Sequence, residues 1–179
     1  MKSKIISFII GGLIGFAMWS VQVKAWGAEL PIGYAEMQTY EVADPEEYME
    51  THYVDITDEV IQASERYGEE YGICPEILEA LAWRESRCRA DVKNGSCIGV
   101  AQINAKVHKD RIQELDVDNI YDVDGNIKVA CDYLSDLEAE NHNIAKSLDD
   151  YNGNGKNGRS NYARQIFTVA YCLDMTGGD

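Results

Sequence analysis

The chain has 179 residues, which suffices for one domain with a substantial hydrophobic core. Its apolar fraction of 45% is typical of a globular protein and excludes a chain that is disordered throughout. The formal net charge of −15 argues against a nucleic-acid-binding protein, which would carry a basic surface.

Residues 1–25 are typical of an export signal. Lys2 and Lys4 give a positively charged start, and an apolar run follows over residues 5–19. Small residues precede the bond after Ala25, so cleavage by a signal peptidase is predicted there. The alternative is an uncleaved membrane anchor, although the apolar run is short for a membrane span. In both cases the remainder is expected outside the cytoplasmic membrane, in the cell envelope or the extracellular space.

Residues 26–57 form an acidic segment that contains neither Lys nor Arg. This composition favours a solvated, partly disordered linker. The alternative is a docking segment whose aromatic side chains fold onto a partner or onto the domain itself. Those side chains are Tyr34, Tyr40, Tyr48 and Tyr53.

Helical patterns begin after this segment. Thr57 is placed to cap a helix over Asp58–Tyr71, and Gly72 would end it as a C′ glycine. Pro75 is a favourable first residue for a second helix, which runs to about Ser86. The later segments are predicted as a loop or small hairpin (89–104), a short helix (106–115), an acidic loop (116–125), a helix (126–142), a short helix (144–148), a glycine-rich loop (153–160), a last helix (162–172) and a tail (176–179). The predicted fold class is therefore a mainly α, single compact helical domain.

One acid of the second helix stands apart from the others. Glu85 falls in the middle of the apolar stripe at about 100° per residue, whereas Glu76 and Glu79 fall outside it. Glu85 also lies near the helix C-terminus, where the macrodipole disfavours negative charge. Burial and dipole together predict a raised pKa, which suits a general acid in glycosidic cleavage. The plain alternative is a solvated Glu85, or one paired with Arg84 or Arg89.

Four short motifs follow one another along the chain. They are Glu85-Ser86, Gly99-Val100-Ala101-Gln102-Ile103-Asn104, Tyr151-Asn152-Gly153 and Tyr162. In this order the chain resembles the lytic transglycosylase domain family with the goose-type lysozyme-like fold, over about residues 56–171. It is most similar to the members associated with secretion and conjugation systems. Two departures are Val100-Ala101 for the usual Leu-Met, and Asp149-Asp150 for the usual small residues, which leaves an extra acid near the site.

The resemblance implies a catalytic domain over residues 58–179, with α+β lysozyme-like architecture and no cofactor. It implies cleavage of the β-1,4 bond between MurNAc and GlcNAc in peptidoglycan, with formation of 1,6-anhydroMurNAc and with Glu85 as the single acid/base. A small loop or hairpin would lie over the cleft. The substrate-binding or supporting residues that it implies are Ser86, Gln102, Asn104, Tyr151, Asn152 and Tyr162.

Two other functions remain open from the sequence. A hydrolytic muramidase would use a second carboxylate, either Asp91 or Asp150, to activate a water molecule. A non-catalytic wall-binding assembly factor would dock through the acidic, tyrosine-bearing part of residues 26–57.

The five cysteines all follow the export signal, where disulfides can persist. Cys88 and Cys97 bracket the loop between Glu85 and Gln102, so a bridge there would hold the two segments together. A second pair, Cys131 with Cys172, is conceivable. The chain lacks a C-x-x-C motif and its three histidines are scattered, so no metal site is predicted.

Overall fold

The computed structural model describes residues 30–153 and 160–177. The predicted export signal, most of the predicted glycine-rich loop and the last two residues lie outside this part of the chain. The described residues from Pro31 onward belong to one compact unit, which begins well before residue 58. Within the described ranges, no helix combines the length and the hydropathy that a membrane span would need.

The fold is a helical domain with one small sheet, as the sequence predicts. In chain order the elements are α1 (Tyr34–Met37), α2 (Pro45–His52), α3 (Asp58–Tyr71), α4 (Pro75–Ser86), β1 (Lys93–Asn94), β2 (Cys97–Ile98), β3 (Ile103–Asn104), α5 (Lys109–Glu114), α6 (Val123–Asn141), α7 (Ile144–Tyr151) and α8 (Asn161–Thr176).

The observed helix ends can be compared with the ends that capping residues, glycine and proline predict. The predicted bounds of α3 and α4 are confirmed, with Gly72 in the left-handed region at φ 68° and Pro75 as the first residue of α4. Thr57 occupies the N-cap position of α3, but its side chain makes no capping hydrogen bond. Helix α6 begins earlier than predicted because Asp122 caps it, with a carboxylate oxygen 3.2 Å from the backbone nitrogen of Gly125.

Helix α4 is the central element of the core. It packs against α3 on one side and α8 on another, while α6 packs against α3 and α7. Ile77, Leu78 and Leu81 are fully buried, and Glu79 is only 6% exposed. The expectation that Glu79 lies outside the buried face is therefore wrong, because a central helix is covered on more than one side.

The N-terminal acidic segment is folded over its described residues. Its backbone joins the domain in a parallel bridge, in which Ile32 donates to the Gly72 carbonyl at 2.7 Å and accepts from the Cys74 amide at 3.0 Å. The ring of Tyr40 stacks on Phe167 of α8 with centroids 4.9 Å apart. A solvated linker is therefore wrong for this part, because Tyr34, Tyr40 and Tyr48 pack against the core while the acids stay at the surface.

The small sheet forms where a loop or hairpin is predicted. Strands β1, β2 and β3 pair antiparallel in that order, with Asn94 opposite Cys97 and Ile98 opposite Ile103. The turn between β1 and β2 contains Gly95 at φ 62°. The third strand places Gln102 directly beside the sheet.

None of the five cysteines is paired, so the predicted Cys88–Cys97 bridge is absent. The buried Cys88 thiol hydrogen-bonds to the backbone at Thr57, at the start of α3. Cys97 lies instead in the middle strand of the sheet. The conceivable Cys131–Cys172 pair does not form either, and both of those thiols are buried.

Candidate active site

Glu85 lies half-buried in the last turn of α4. Its Oε1 accepts a hydrogen bond from the Tyr162 hydroxyl at 2.5 Å. Burial raises the pKa of Glu85, while the Tyr162 hydrogen bond and the Arg84 charge oppose that rise. The net direction is the one that the sequence predicts, and it describes an acid that holds its proton more strongly than a solvated Glu.

Tyr162 is held in place by the first turn of α8. Only 4% of it is exposed, and its backbone nitrogen donates to Ser160 Oγ at 3.0 Å. The guanidinium of Arg84 lies 5.6 Å from the Tyr162 ring centroid, and Arg84 Nε donates to Gln165 Oε1 at 2.7 Å. Helices α4 and α8 thus meet through polar contacts beside Glu85.

An aromatic row extends from the same region. Tyr151 donates its hydroxyl to the Ala101 carbonyl at 2.9 Å, and burial together with the nearby Glu85 raises the pKa of Tyr151. The ring centroid of Tyr133 lies 5.3 Å from that of Tyr151, and the ring centroid of His108 lies 4.3 Å from that of Tyr133. Neither Tyr133 nor His108 is among the site residues that the sequence predicts.

Three of the predicted binding residues make hydrogen bonds to backbone atoms. Ser86, only 4% exposed, donates to the Val100 carbonyl at 2.8 Å. Gln102 Nε2 donates to the Gly99 carbonyl at 2.9 Å. Asn104 Oδ1 accepts from the amides of the next turn, at 3.2 and 3.3 Å. These hydrogen bonds shape the loop that borders the site.

A further supporting residue, Asn126, was missed as a site residue. It is fully buried at the start of α6, and its Oδ1 accepts from the Ala101 amide at 2.8 Å. Its Nδ2 donates to the carbonyls of Ile98 and Ile120 at 3.0 and 2.8 Å. A Cβ on Gly99 would lie 2.3 Å from Asn126 Nδ2, so this close approach requires glycine.

The remaining acids differ in their surroundings. Asp91 is exposed. The predicted binding residue Asn152, which is not an acid, is also exposed and follows α7 directly. Asp150 accepts hydrogen bonds from Lys146 at 2.5 Å and from Asn141 at 2.9 Å, which hold the pKa of its carboxyl below the usual range. Asp149 is fully buried and accepts from Ser160.

Over residues 30–153 and 160–177, no three His, Cys, Asp or Glu side chains come together in a group that could hold a metal ion.

Comparison with known families gives one result. The family model described as the transglycosylase SLT domain matches residues 62–168, which is more than half of the chain. Comparison with curated proteins finds none that matches. The matched span contains the helix that carries Glu85, the loop with Gln102, and both Tyr151 and Tyr162. The chain therefore belongs to the transglycosylase SLT domain family, and it is a lytic transglycosylase that acts on peptidoglycan in the cell envelope.

Proposed function

We propose that Glu85 is the single acid/base of a reaction that cleaves the β-1,4 bond between MurNAc and GlcNAc and leaves a 1,6-anhydroMurNAc end. The observation that carries the proposal is the environment of this carboxyl group. Glu85 is half-buried, its pKa is raised by burial, and Tyr162 donates a hydrogen bond to it at 2.5 Å. A carboxyl group with a raised pKa stays protonated to higher pH than a solvated one, so it can give up a proton and take one back.

The first step is protonation of the leaving group. Glu85 gives its proton to the glycosidic oxygen as the bond from that oxygen to C1 of MurNAc breaks. The carbonyl oxygen of the MurNAc N-acetyl group stabilises the positive charge that develops at C1. Meanwhile the Tyr162 hydroxyl stabilises the Glu85 carboxylate, because a hydrogen bond to a charged acceptor is stronger than one to a neutral acceptor.

The second step closes the anhydro ring. The Glu85 carboxylate takes the proton from the C6 hydroxyl of MurNAc, and O6 then bonds to C1. The proton from the C6 hydroxyl replaces the one that Glu85 gave to the leaving group, so the enzyme regains its starting state. Water is neither consumed nor released, and one carboxyl group is enough for both transfers.

The other predicted residues divide into two roles in this proposal. Tyr151 and Gln102 orient the sugar and its N-acetyl group, and Asn152 contacts the strand from its exposed position after α7. Ser86 and Asn104 act indirectly, since their side chains hold the ends of the loop that carries Gln102.

A hydrolytic muramidase is the competing reaction. It would need a second carboxylate to activate water. Asp150 is poorly suited to that role, because Lys146 and Asn141 donate hydrogen bonds to its carboxylate and lower its pKa. A carboxylate with a lowered pKa is a weaker base. Asp91 is exposed and would keep ordinary access to water.

Product analysis tests the proposal directly. Purified peptidoglycan is treated with the protein, with Glu85→Gln and with the matched surface control Asp91→Asn, and soluble products are identified by mass spectrometry. Anhydro-muropeptides from the protein and the control, and none from Glu85→Gln, are the expected result. Reducing-end products, or full activity in Glu85→Gln, would contradict the proposal. If the unsubstituted protein releases products with reducing ends and Asp91→Asn releases none, the muramidase would be established instead.

The proposed cellular role is local opening or remodelling of the wall by an exported enzyme. The positively charged, apolar start of the chain supports export, and the resemblance to members of secretion and conjugation systems supports recruitment to such an assembly. Exposed acids of α2 offer a test, since neutral substitutions at Glu46, Glu47 and Glu50 leave the packed aromatic side chains intact. Reduced localisation with unchanged wall cleavage would support recruitment through this face. Unchanged localisation would contradict it.

A further inference from the structure

Asp149 is a fully buried carboxylate that the proposed reaction does not use. It lies near the end of α7, and both of its oxygens face the same residue. Asp149 Oδ1 accepts from the Ser160 hydroxyl, and Oδ2 accepts from the Ser160 backbone nitrogen at 3.3 Å. This contact ties the end of α7 to the residue that caps α8.

Ser160 passes this constraint to the first turn of α8. Its Oγ accepts from the backbone nitrogens of Tyr162 and Ala163 at 3.0 and 3.5 Å, which are the contacts of an N-cap. Because the Ser160 hydroxyl proton is directed to Asp149, its oxygen lone pairs face the helix. Asp149 therefore determines the orientation of the cap as well as the position of its backbone.

Tyr162 carries the constraint to Glu85. Its backbone is fixed by the cap, and its side chain reaches across to α4, where the hydroxyl donates to Glu85 Oε1. Since Tyr162 is the second residue of α8, a displaced first turn would move its hydroxyl with it. A small displacement would break this hydrogen bond while the apolar body of the helix stays packed.

We propose that Asp149 is a positioning residue, which acts through Ser160 to hold the Tyr162 hydroxyl on Glu85. This role rests on the proposed function of Glu85 as the acid/base. Asp149 does not touch substrate in this proposal, and it stands at a position where the resemblance leads us to expect a small residue.

The groups that face Glu85 determine how its proton affinity would respond. They are Tyr162 from α8, Tyr151 from α7 and Arg84 from α4 itself. Substitution of Asp149 leaves Arg84 in place and removes only the support of Tyr162. Because the Tyr162 hydrogen bond favours the charged carboxylate, its loss raises the pKa of Glu85. The basic limb of the pH–rate profile then moves to higher pH, since the first step needs the protonated acid.

The test compares the full-length protein with Asp149→Ala, Tyr162→Phe and the double variant, by release of soluble muropeptides across a range of pH. Each single variant is expected to move the basic limb of kcat upward by about 0.5–1 pH unit. The double variant should show the same shift as Tyr162→Phe alone, because both changes remove one interaction. Asp149→Asn keeps an acceptor oxygen for the Ser160 hydroxyl but sets an NH2 donor against the Ser160 backbone nitrogen, so it should bring the basic limb only part of the way back.

Two outcomes would overturn the role. In the first, Asp149→Ala lowers the rate but leaves the basic limb of the pH–rate profile in place, whereas Tyr162→Phe moves that limb. In the second, the shift in the double variant equals the sum of the two single shifts. If Asp149→Ala does not fold, Ser160→Ala, at a less buried residue, removes the hydroxyl contact to Asp149 while the Ser160 backbone nitrogen still donates to it, and the basic limb must move in the same direction. Failure of the acid/base assignment is distinguishable, because Glu85→Gln would then retain activity.

Discussion

The Tyr162 hydroxyl lies 2.5 Å from Oε1 of Glu85, although 77 positions separate the two residues in the chain. Helix α4 supplies the acid and α8 supplies the donor, so the pair exists only when these helices pack correctly. The hydrogen bond opposes the effect of burial on the pKa of Glu85. The proton affinity of Glu85 therefore depends on two opposing effects, and removal of the Tyr162 hydroxyl oxygen would remove one of them.

Removal of that atom should slow the reaction. Tyr162→Phe keeps the ring in its buried place but leaves the Glu85 carboxylate without this donor after proton transfer. A hydrogen bond to a charged group contributes about 1.5–3 kcal/mol, so we expect kcat to fall by about 10- to 100-fold. Release of soluble muropeptides measures the rate.

Tyr171→Phe is the matched control, because Tyr171 is a half-buried tyrosine on the same helix. It should leave kcat unchanged. Equal rates for Tyr162→Phe and the original protein would contradict a role for the hydroxyl in the chemistry.

The N-terminal segment should contribute to the stability of the domain. Tyr40 stacks on Phe167, and Tyr40→Ala would leave a gap against the buried face of α8. We expect the free energy of unfolding to fall by about 2–3 kcal/mol, below the range for a fully buried aromatic because Tyr40 is only partly buried. Denaturant titration followed by circular dichroism measures the change.

Tyr53→Ala is the comparison, since this side chain is 86% exposed. Its effect on the free energy of unfolding should stay within about 0.5 kcal/mol. Equal stability of the two variants would show that the segment packs without contributing to the fold.

Asn126 should be among the most sensitive polar residues of the core. Asn126→Ala leaves the Ala101 amide and the carbonyls of Ile98 and Ile120 without their side-chain partner. Buried groups without partners are costly, so we expect a loss of about 2–4 kcal/mol in the free energy of unfolding. Chemical denaturation checks the value, with the exposed Asn94→Ala as the control. A loss below about 1 kcal/mol for Asn126→Ala would contradict this role.

Local signals made much of the fold predictable. Gly72 and Pro75 fix the boundary between α3 and α4, because one permits a left-handed ending and the other favours a helix start. The raised pKa of Glu85 also follows from its place on a helix. Its partner Tyr162 follows only from the resemblance, since no local pattern links two such distant residues.

Long-range packing explains what the sequence pattern misses. Tyr40 lies among acids, so the composition favours a solvated segment. Its ring nevertheless stacks on Phe167, which belongs to a helix far along the chain. Glu79 falls off the apolar stripe of α4, but it is buried as well, in a helix that packs against both α3 and α8. Cys88 and Cys97 are close in sequence, whereas the Cys88 thiol is directed toward α3. In each case the deciding neighbour belongs to another part of the chain.

The raised pKa of Glu85 also predicts a cost to stability at neutral pH. A folded state that binds the proton more tightly than the unfolded chain is favoured below the unfolded pKa, and this advantage is lost as pH rises through the folded pKa. Glu85→Gln has no charge to bury, and its side-chain oxygen can still accept from Tyr162. We therefore expect Glu85→Gln to melt at a higher temperature than the original protein at pH 7, with the difference vanishing below about pH 4. Thermal unfolding across this pH range measures the effect, and the surface variant Asp91→Asn should show no such trend. A Glu85→Gln variant that is less stable at pH 7 would mean that the ionised carboxylate is stabilised by its neighbours more than burial disfavours it.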